Sequence, residues 1–120
     1  MTPLERYRKH YLMFQYWDEQ LRNELASSSP NPKRFRQASS QSLEELQLLH
    51  QLLQPARAAT IEPMLAQREQ LNEQLQTGPY HPANLSSVRM AMESQARQID
   101  REMGWQDVQD ALKPPAAAAP

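Results

Sequence analysis

Cysteine is absent from this sequence and glycine is scarce. Without cysteine, the chain has no disulfide framework, no thiolate zinc site and no cysteine nucleophile. Its only glycines, Gly78 and Gly104, are too far apart to form a phosphate-binding loop, in which clustered glycines let backbone amides approach the phosphate. So few glycines also argue against a turn-rich β fold.

Long apolar runs and a charge excess of one sign are missing as well. No apolar run approaches the length of a membrane span, and the opening residues MTPLERYRKH lack the apolar region of a secretory signal. The formal net charge is -1, so attraction to a polyanion would have to come from a local cluster of cations. These absences predict a soluble, cytoplasmic protein that does not contact a membrane.

The apolar residues that are present predict an all-α fold. They recur at alternating spacings of three and four along most of the chain, which is the pattern of helices that bury one face. We expect a single domain over residues 1–112, built as a small antiparallel bundle of three to four main helices. A short helix over 105–112 should end it, and the Pro/Ala-rich residues 113–120 should be a disordered tail.

Prolines and capping residues predict the helix boundaries. The first helix should cover residues 3–26, and residues 27–38, with two prolines and a run of serines, should form an exposed basic linker. Ser42 and Glu45 have the spacing of a capping box, in which each side chain bonds an amide of the first turn. They predict the start of the second helix.

The later boundaries rest on similar signals. Pro55 should end or kink the second helix, so that the second and third helices are either separate or one bent rod. The third helix should begin near a cap at Thr60 and end at Gly78. The fourth should open at Asn84 or Ser86.

The stretch RYRKHYLMFQYW, residues 6–17, holds five of the chain's aromatic side chains. Tyr7, Tyr11 and Phe14 fall in one stripe about 60° wide on a helix, together with two leucines further along. Burying aromatic side chains is the largest apolar gain available to this chain. The stripe is therefore predicted to be a helix–helix seam.

Leu12 and Tyr16 point to nearly the opposite side of the same helix, and Met13 lies between the two faces. A helix that is apolar on two sides is either sandwiched between other helices or exposes a second surface to a partner. We predict the second arrangement. A partner-binding patch of Leu12, Met13 and Tyr16 should bind a helix of another protein, with Arg8 and Lys9 at its rim.

Asp18 takes a seam position between apolar neighbours, although an unpaired buried carboxylate is costly. We expect it either to pair with Arg22 one turn on or to lie in a partly hydrated seam. Alternatively, it sets the register of the helices or meets a basic residue of another chain.

No arrangement of residues marks a catalytic, cofactor or metal site. The three histidines, His10, His50 and His81, lie on separate elements, and none has a second histidine or a carboxylate at metal-ligand spacing. No nucleophile with its base is recognisable. We therefore predict that the chain is not an enzyme and holds no metal or cofactor.

The function predicted from these features is that of a helical adaptor, chaperone or regulatory subunit that binds another protein. The leucine and methionine stripes also favour self-association, and we expect a homodimer through the first or fourth helix. A purely architectural coiled-coil oligomer is one alternative.

A nucleic-acid accessory protein is the other alternative. Its phosphate contacts would be Arg6, Lys33, Arg34 and Arg36, provided that the basic linker folds back to the start of the first helix. It is the weaker hypothesis, because most aromatic residues fall on the seam rather than beside these cations.

Overall fold

The structure, a computed structural model, describes residues 1–114. Over that range the chain forms four α-helices: α1 (Pro3–Ala26), α2 (Pro32–Leu52), α3 (Pro55–Thr77) and α4 (Pro82–Met103). Each helix packs against the next, and α4 returns to pack against α1, so that the four lie side by side. The molecule is 49 Å long and 22 Å across. The predicted all-α fold is confirmed.

A proline occupies the first position of each helix in the described part of the chain: Pro3, Pro32, Pro55 and Pro82. This position suits proline, because the amide it lacks would have no partner within the helix and its fixed φ matches the helix. The first helix starts where the sequence predicts. The expected starts at Thr60 and at Asn84 or Ser86 are wrong, since all three residues lie inside helices.

The segment expected to be an exposed linker, residues 27–38, is only partly a connection. Because α2 begins at Pro32, residues 27–31 alone join it to α1. Phe35 is fully buried, and its ring packs edge-to-face on Tyr80 with 5.0 Å between centroids. The basic side chains of this segment therefore lie on the first turns of a helix whose other face is in the core.

Asn31, rather than Ser42, caps α2. Its side-chain oxygen accepts the backbone amides of Lys33 and Arg34 at 3.0 and 3.4 Å. Ser42 lies within the helix, where its hydroxyl donates to the carbonyl of Ser39 at 3.0 Å. The capping box predicted at this position is wrong, because its serine is buried in the core instead of lying at a helix end.

The helices α2 and α3 are separate rather than one bent rod. Leu53 and Gln54 connect them, and Pro55 opens α3. The two helices then run back along each other, and the hydroxyl of Ser39 donates to the side-chain oxygen of Asn72 at 2.7 Å.

The expected C-terminal helix over residues 105–112 is wrong, because this segment forms turns and then an antiparallel bridge between Leu112 and Leu53. We call it the C-terminal strap. The connection between α2 and α3 has backbone groups that no helix satisfies, and the strap bonds them, for example at the amide of Gln54. Residues 115–120 of the predicted tail lie outside the described residues.

Two apolar clusters fill the interior, at different levels along the bundle. One surrounds Tyr7 and Phe14 and includes Val108 of the C-terminal strap. The other surrounds Leu21 and Phe35 near the opposite end. No helix within residues 1–114 is both long enough and apolar enough to cross a membrane.

Candidate functional site

Leu12, Met13 and Tyr16 face solvent from the outward side of α1. They are 49%, 38% and 57% exposed. The arrangement in which α1 is sandwiched between other helices is therefore wrong. We call these three residues, with Arg8 and Lys9 at their rim, the α1 patch.

The opposite face of α1 is anchored to the end of α4 by two tyrosines. The hydroxyl of Tyr7 donates to the carbonyl of Met103 at 2.7 Å, and that of Tyr11 donates to the carboxylate of Asp100 at 2.8 Å. Burial raises the pKa of both phenols, and the Asp100 carboxylate raises that of Tyr11 further. These two bonds fix the rotation of α1 about its axis, so the patch must point away from the core.

Trp17 restricts the ring of Tyr16. The two rings meet edge-to-face with 5.1 Å between centroids, and Trp17 is itself half-buried against the cluster around Leu21. The Tyr16 ring is thus exposed but packed on one side against Trp17. A partner that covers it would lose less side-chain entropy than it would on a freely rotating ring.

The rim of the α1 patch carries positive charge that the monomer does not neutralise. No salt bridge within residues 1–114 involves Arg8 or Lys9. The guanidinium of Arg8 lies 5.0 Å from the ring centroid of Trp105 in the C-terminal strap, which is a cation–π contact. Glu5, an acid on the same face, bonds the amide of Thr2 at the helix cap.

The cations of the nucleic-acid hypothesis lie at opposite ends of the bundle. Arg6 is near the start of α1, whereas Lys33 and Arg34 are in the first turn of α2, beside the end of α1. About 30 Å of helix separates the two groups at about 1.5 Å per residue. Arg36 approaches the hydroxyl of Tyr80 at 3.4 Å. The expected return of the linker to the start of α1 is wrong, and Arg6 shares no surface with the other three cations.

A buried polar layer crosses the bundle between the two apolar clusters, and its central residue, Arg68, is absent from the sequence-based candidates. Arg68 is fully buried on α3. Its guanidinium donates to Asp18 and Gln95 at 2.8 Å each and to Ser42 at 3.2 Å. Each of the four helices thus contributes one side chain to this polar layer.

Asp18 finds its partners within the monomer. Arg22 donates to one carboxylate oxygen at 3.1 Å, and Arg68 donates to the other at 2.8 Å. The pair with Arg22 is present as expected, and a basic residue from another chain is not required. Burial lowers the pKa of the Arg68 guanidinium, and the Asp18 carboxylate opposes that change. Because Asp18 and Arg68 find their partners within the monomer, we interpret the polar layer as an arrangement that fixes the register of the helices.

A signal for this pair is present in the sequence. Arg68 follows Met64 by four residues and precedes Leu71 by three, so it occupies a seam position of α3. Asp18 has the same place between the apolar seam residues of α1. Opposite charges on two seams predict a buried pair, because neither could be buried without the other.

Two of the three histidines each contact a single glutamate. Nδ1 of His10 lies 2.6 Å from the carboxylate of Glu45, and Nε2 of His50 lies 3.5 Å from that of Glu62. His81 precedes the first turn of α4 and is exposed. No group of three or more metal-ligating side chains comes together in the part of the chain that the structure describes.

Comparisons of the chain with protein-family models, with curated proteins and with solved structures each give no match.

Proposed function

We propose that this chain is a non-catalytic protein-interaction module that binds its partner through the α1 patch. The observation that supports this function is the clustering of exposed apolar side chains. Among residues 1–114, five large hydrophobic side chains are exposed, and three of them are the neighbours Leu12, Met13 and Tyr16. The other two, Met1 and Met90, lie outside the patch.

The energy available from covering the patch suits a reversible complex. Full burial of one such side chain contributes about 1.5–3 kcal/mol, so covering the exposed parts of Leu12, Met13 and Tyr16 would contribute about 3 kcal/mol before the costs of association. Arg8 and Lys9 would orient the partner and accelerate its approach more than they would tighten the complex. A helix with an apolar stripe and a carboxylate facing these cations fits the patch.

The test compares the Leu12→Asp/Tyr16→Ala double variant with Met90→Asp as a matched control. Met90 is 62% exposed on α4, so its substitution introduces the same charge outside the patch. Partners captured from the native cell are identified by mass spectrometry and purified, and their affinities for each chain are measured. We expect the double variant to lose binding and the control to keep it, because a carboxylate at position 12 could not be covered without a large desolvation cost.

Circular dichroism and thermal melting provide the check on folding. Substitutions at exposed positions change stability by about 0.5 kcal/mol or less, so both variants should melt within a few degrees of the wild type. A large loss of melting temperature in the double variant would show that its side chains belong to the core. Equal loss of binding in the control would show that the captured proteins do not recognise the patch.

A further inference from the structure

The outward face of α1 carries a stripe of side chains whose spacing is the same in both directions along the helix. Its residues are Lys9, Leu12, Tyr16 and Glu19. They are separated by three, four and three residues, so they follow one face of the helix. The end residues have opposite charges, and the apolar pair lies between them. Such a stripe is complementary to its own copy when the second helix runs antiparallel.

We propose that the partner bound by the α1 patch is a second copy of this chain, with the two α1 helices antiparallel across a two-fold axis level with the midpoint of Leu12 and Tyr16. This inference rests on the proposed function and names its partner. In this register, Leu12 packs beside Tyr16 of the partner subunit, and Lys9 lies level with Glu19 of the partner subunit. The two-fold axis makes each contact occur twice.

Charge selects the antiparallel direction. Lys9 and Glu19 are exposed, and neither takes part in a salt bridge within residues 1–114. An in-register parallel pair would bring like charges together at both ends of the stripe, which opposes association. Arg8 adds a second cation at the Lys9 end, and its contact with Trp105 positions it at the edge of the stripe.

The two bundles would touch along one helix each, so the dimer is expected to be reversible. A contact of this kind falls below about 1,200 Å² of buried surface, the low end of specific interfaces, where complexes are transient. Dimerisation should therefore increase with protein concentration and weaken with salt, because the Lys9–Glu19 contacts lie in solvent.

Sedimentation velocity over a concentration series tests the pairing of charges. Lys9→Glu or Glu19→Lys alone should weaken association about tenfold or more, since each places like charges together at both ends of the stripe. The double variant Lys9→Glu/Glu19→Lys restores opposite charges and should recover the wild-type affinity. Leu12→Asp should leave only monomer. All four chains should melt at the wild-type temperature, because these side chains are exposed.

The absence of cysteine from the sequence allows a direct test of direction. Chains with Lys9→Cys and chains with Glu19→Cys are mixed under mild oxidation, with a mass label on one of them. The antiparallel register brings positions 9 and 19 to the same level, so the mixed disulfide should exceed either symmetric one. An excess of the symmetric Lys9→Cys disulfide would indicate parallel helices and overturn the proposal.

Failure of the dimer and failure of the proposed function are distinguishable. A wild-type chain that is monomeric at every concentration, or an association that charge reversal at Lys9 and Glu19 leaves unchanged, would overturn the dimer. If the wild type then binds a different protein that the Leu12→Asp/Tyr16→Ala variant does not bind, the dimer fails and the proposed interaction module stands. If that variant loses neither self-association nor a partner, both fail.

Discussion

Replacing Arg68 with methionine should destabilise the protein strongly, because Arg68 donates hydrogen bonds to one side chain from each of the other three helices. The substitution keeps an unbranched apolar side chain but removes the guanidinium and its charge. Asp18 would remain 2% exposed with Arg22 alone, and the side-chain oxygen of Gln95 would lose its donor at 2.8 Å. Breaking a buried ion pair by removing one partner costs about 3–5 kcal/mol.

The lower end of that range applies, since Arg22 still bonds Asp18. We expect a loss of about 3 kcal/mol, which is a large part of the roughly 5–15 kcal/mol that holds a domain of this size folded. The melting temperature should fall by about 10 °C. Replacing Asp18 with leucine as well removes the stranded carboxylate. The double variant should therefore be about 2 kcal/mol more stable than Arg68→Met alone.

Urea unfolding followed by far-UV circular dichroism measures these differences. Arg97→Met serves as the matched control, since Arg97 is exposed on α4 and its loss should change stability by about 0.5 kcal/mol or less. If Arg68→Met unfolds at the same urea concentration as the control, Arg68 is not buried in a polar layer. If the Asp18→Leu change adds its own full cost, the two residues are not coupled.

Two further predictions concern the end of the bundle near the C-terminal strap. Burial raises the pKa of Tyr7 and Tyr11 above the ordinary value of 10.0, so their contribution to stability is complete below that pH and is lost as pH rises above it. Urea unfolding measured across this range should show declining stability, with a shallower decline in Tyr7→Phe; an equal slope in both chains would contradict the assignment. Val108 is fully buried, so Val108→Asp should detach the strap and shift the Trp105 emission to longer wavelength in a Trp17→Phe background, while helix content stays high. Unchanged emission would show that Val108 does not hold the strap.

Features that depend on contacts within one helix could be predicted from the sequence. The capping box of Thr2 and Glu5 and the proline at position 3 begin α1, and all of these act within a single turn. The orientation of Leu12 and Tyr16 follows from the helical period once the seam of α1 is recognised. The exposure of that face could not be predicted in this way, because a helix sandwiched between others buries both faces; the positions of the other helices decide it.

The start of α2 could not be predicted in the same way. Lys33, Arg34 and the serines before them have the composition of a loop, and several polar residues in this region could serve as a cap. The burial of Phe35 against Tyr80, a residue from the turn between α3 and α4, stabilises the first turn of α2. Phe35 and Tyr80 are far apart in the chain, so no pattern of neighbouring residues predicts their contact.

The order of the residues by itself determined that this chain is helical, that α1 has an aromatic seam, and that an apolar pair lies opposite that seam. These properties follow from periodicity and from hydrogen bonds within a turn, which every helix shares. Only the tertiary structure decided that Arg68 also bonds Ser42 and Gln95, that residues 105–112 form a strap, and that Arg6 is remote from Lys33. Each of these depends on which distant side chain or backbone group can pair with a buried polar one. Burial makes that pairing obligatory, and chain topology selects the partner.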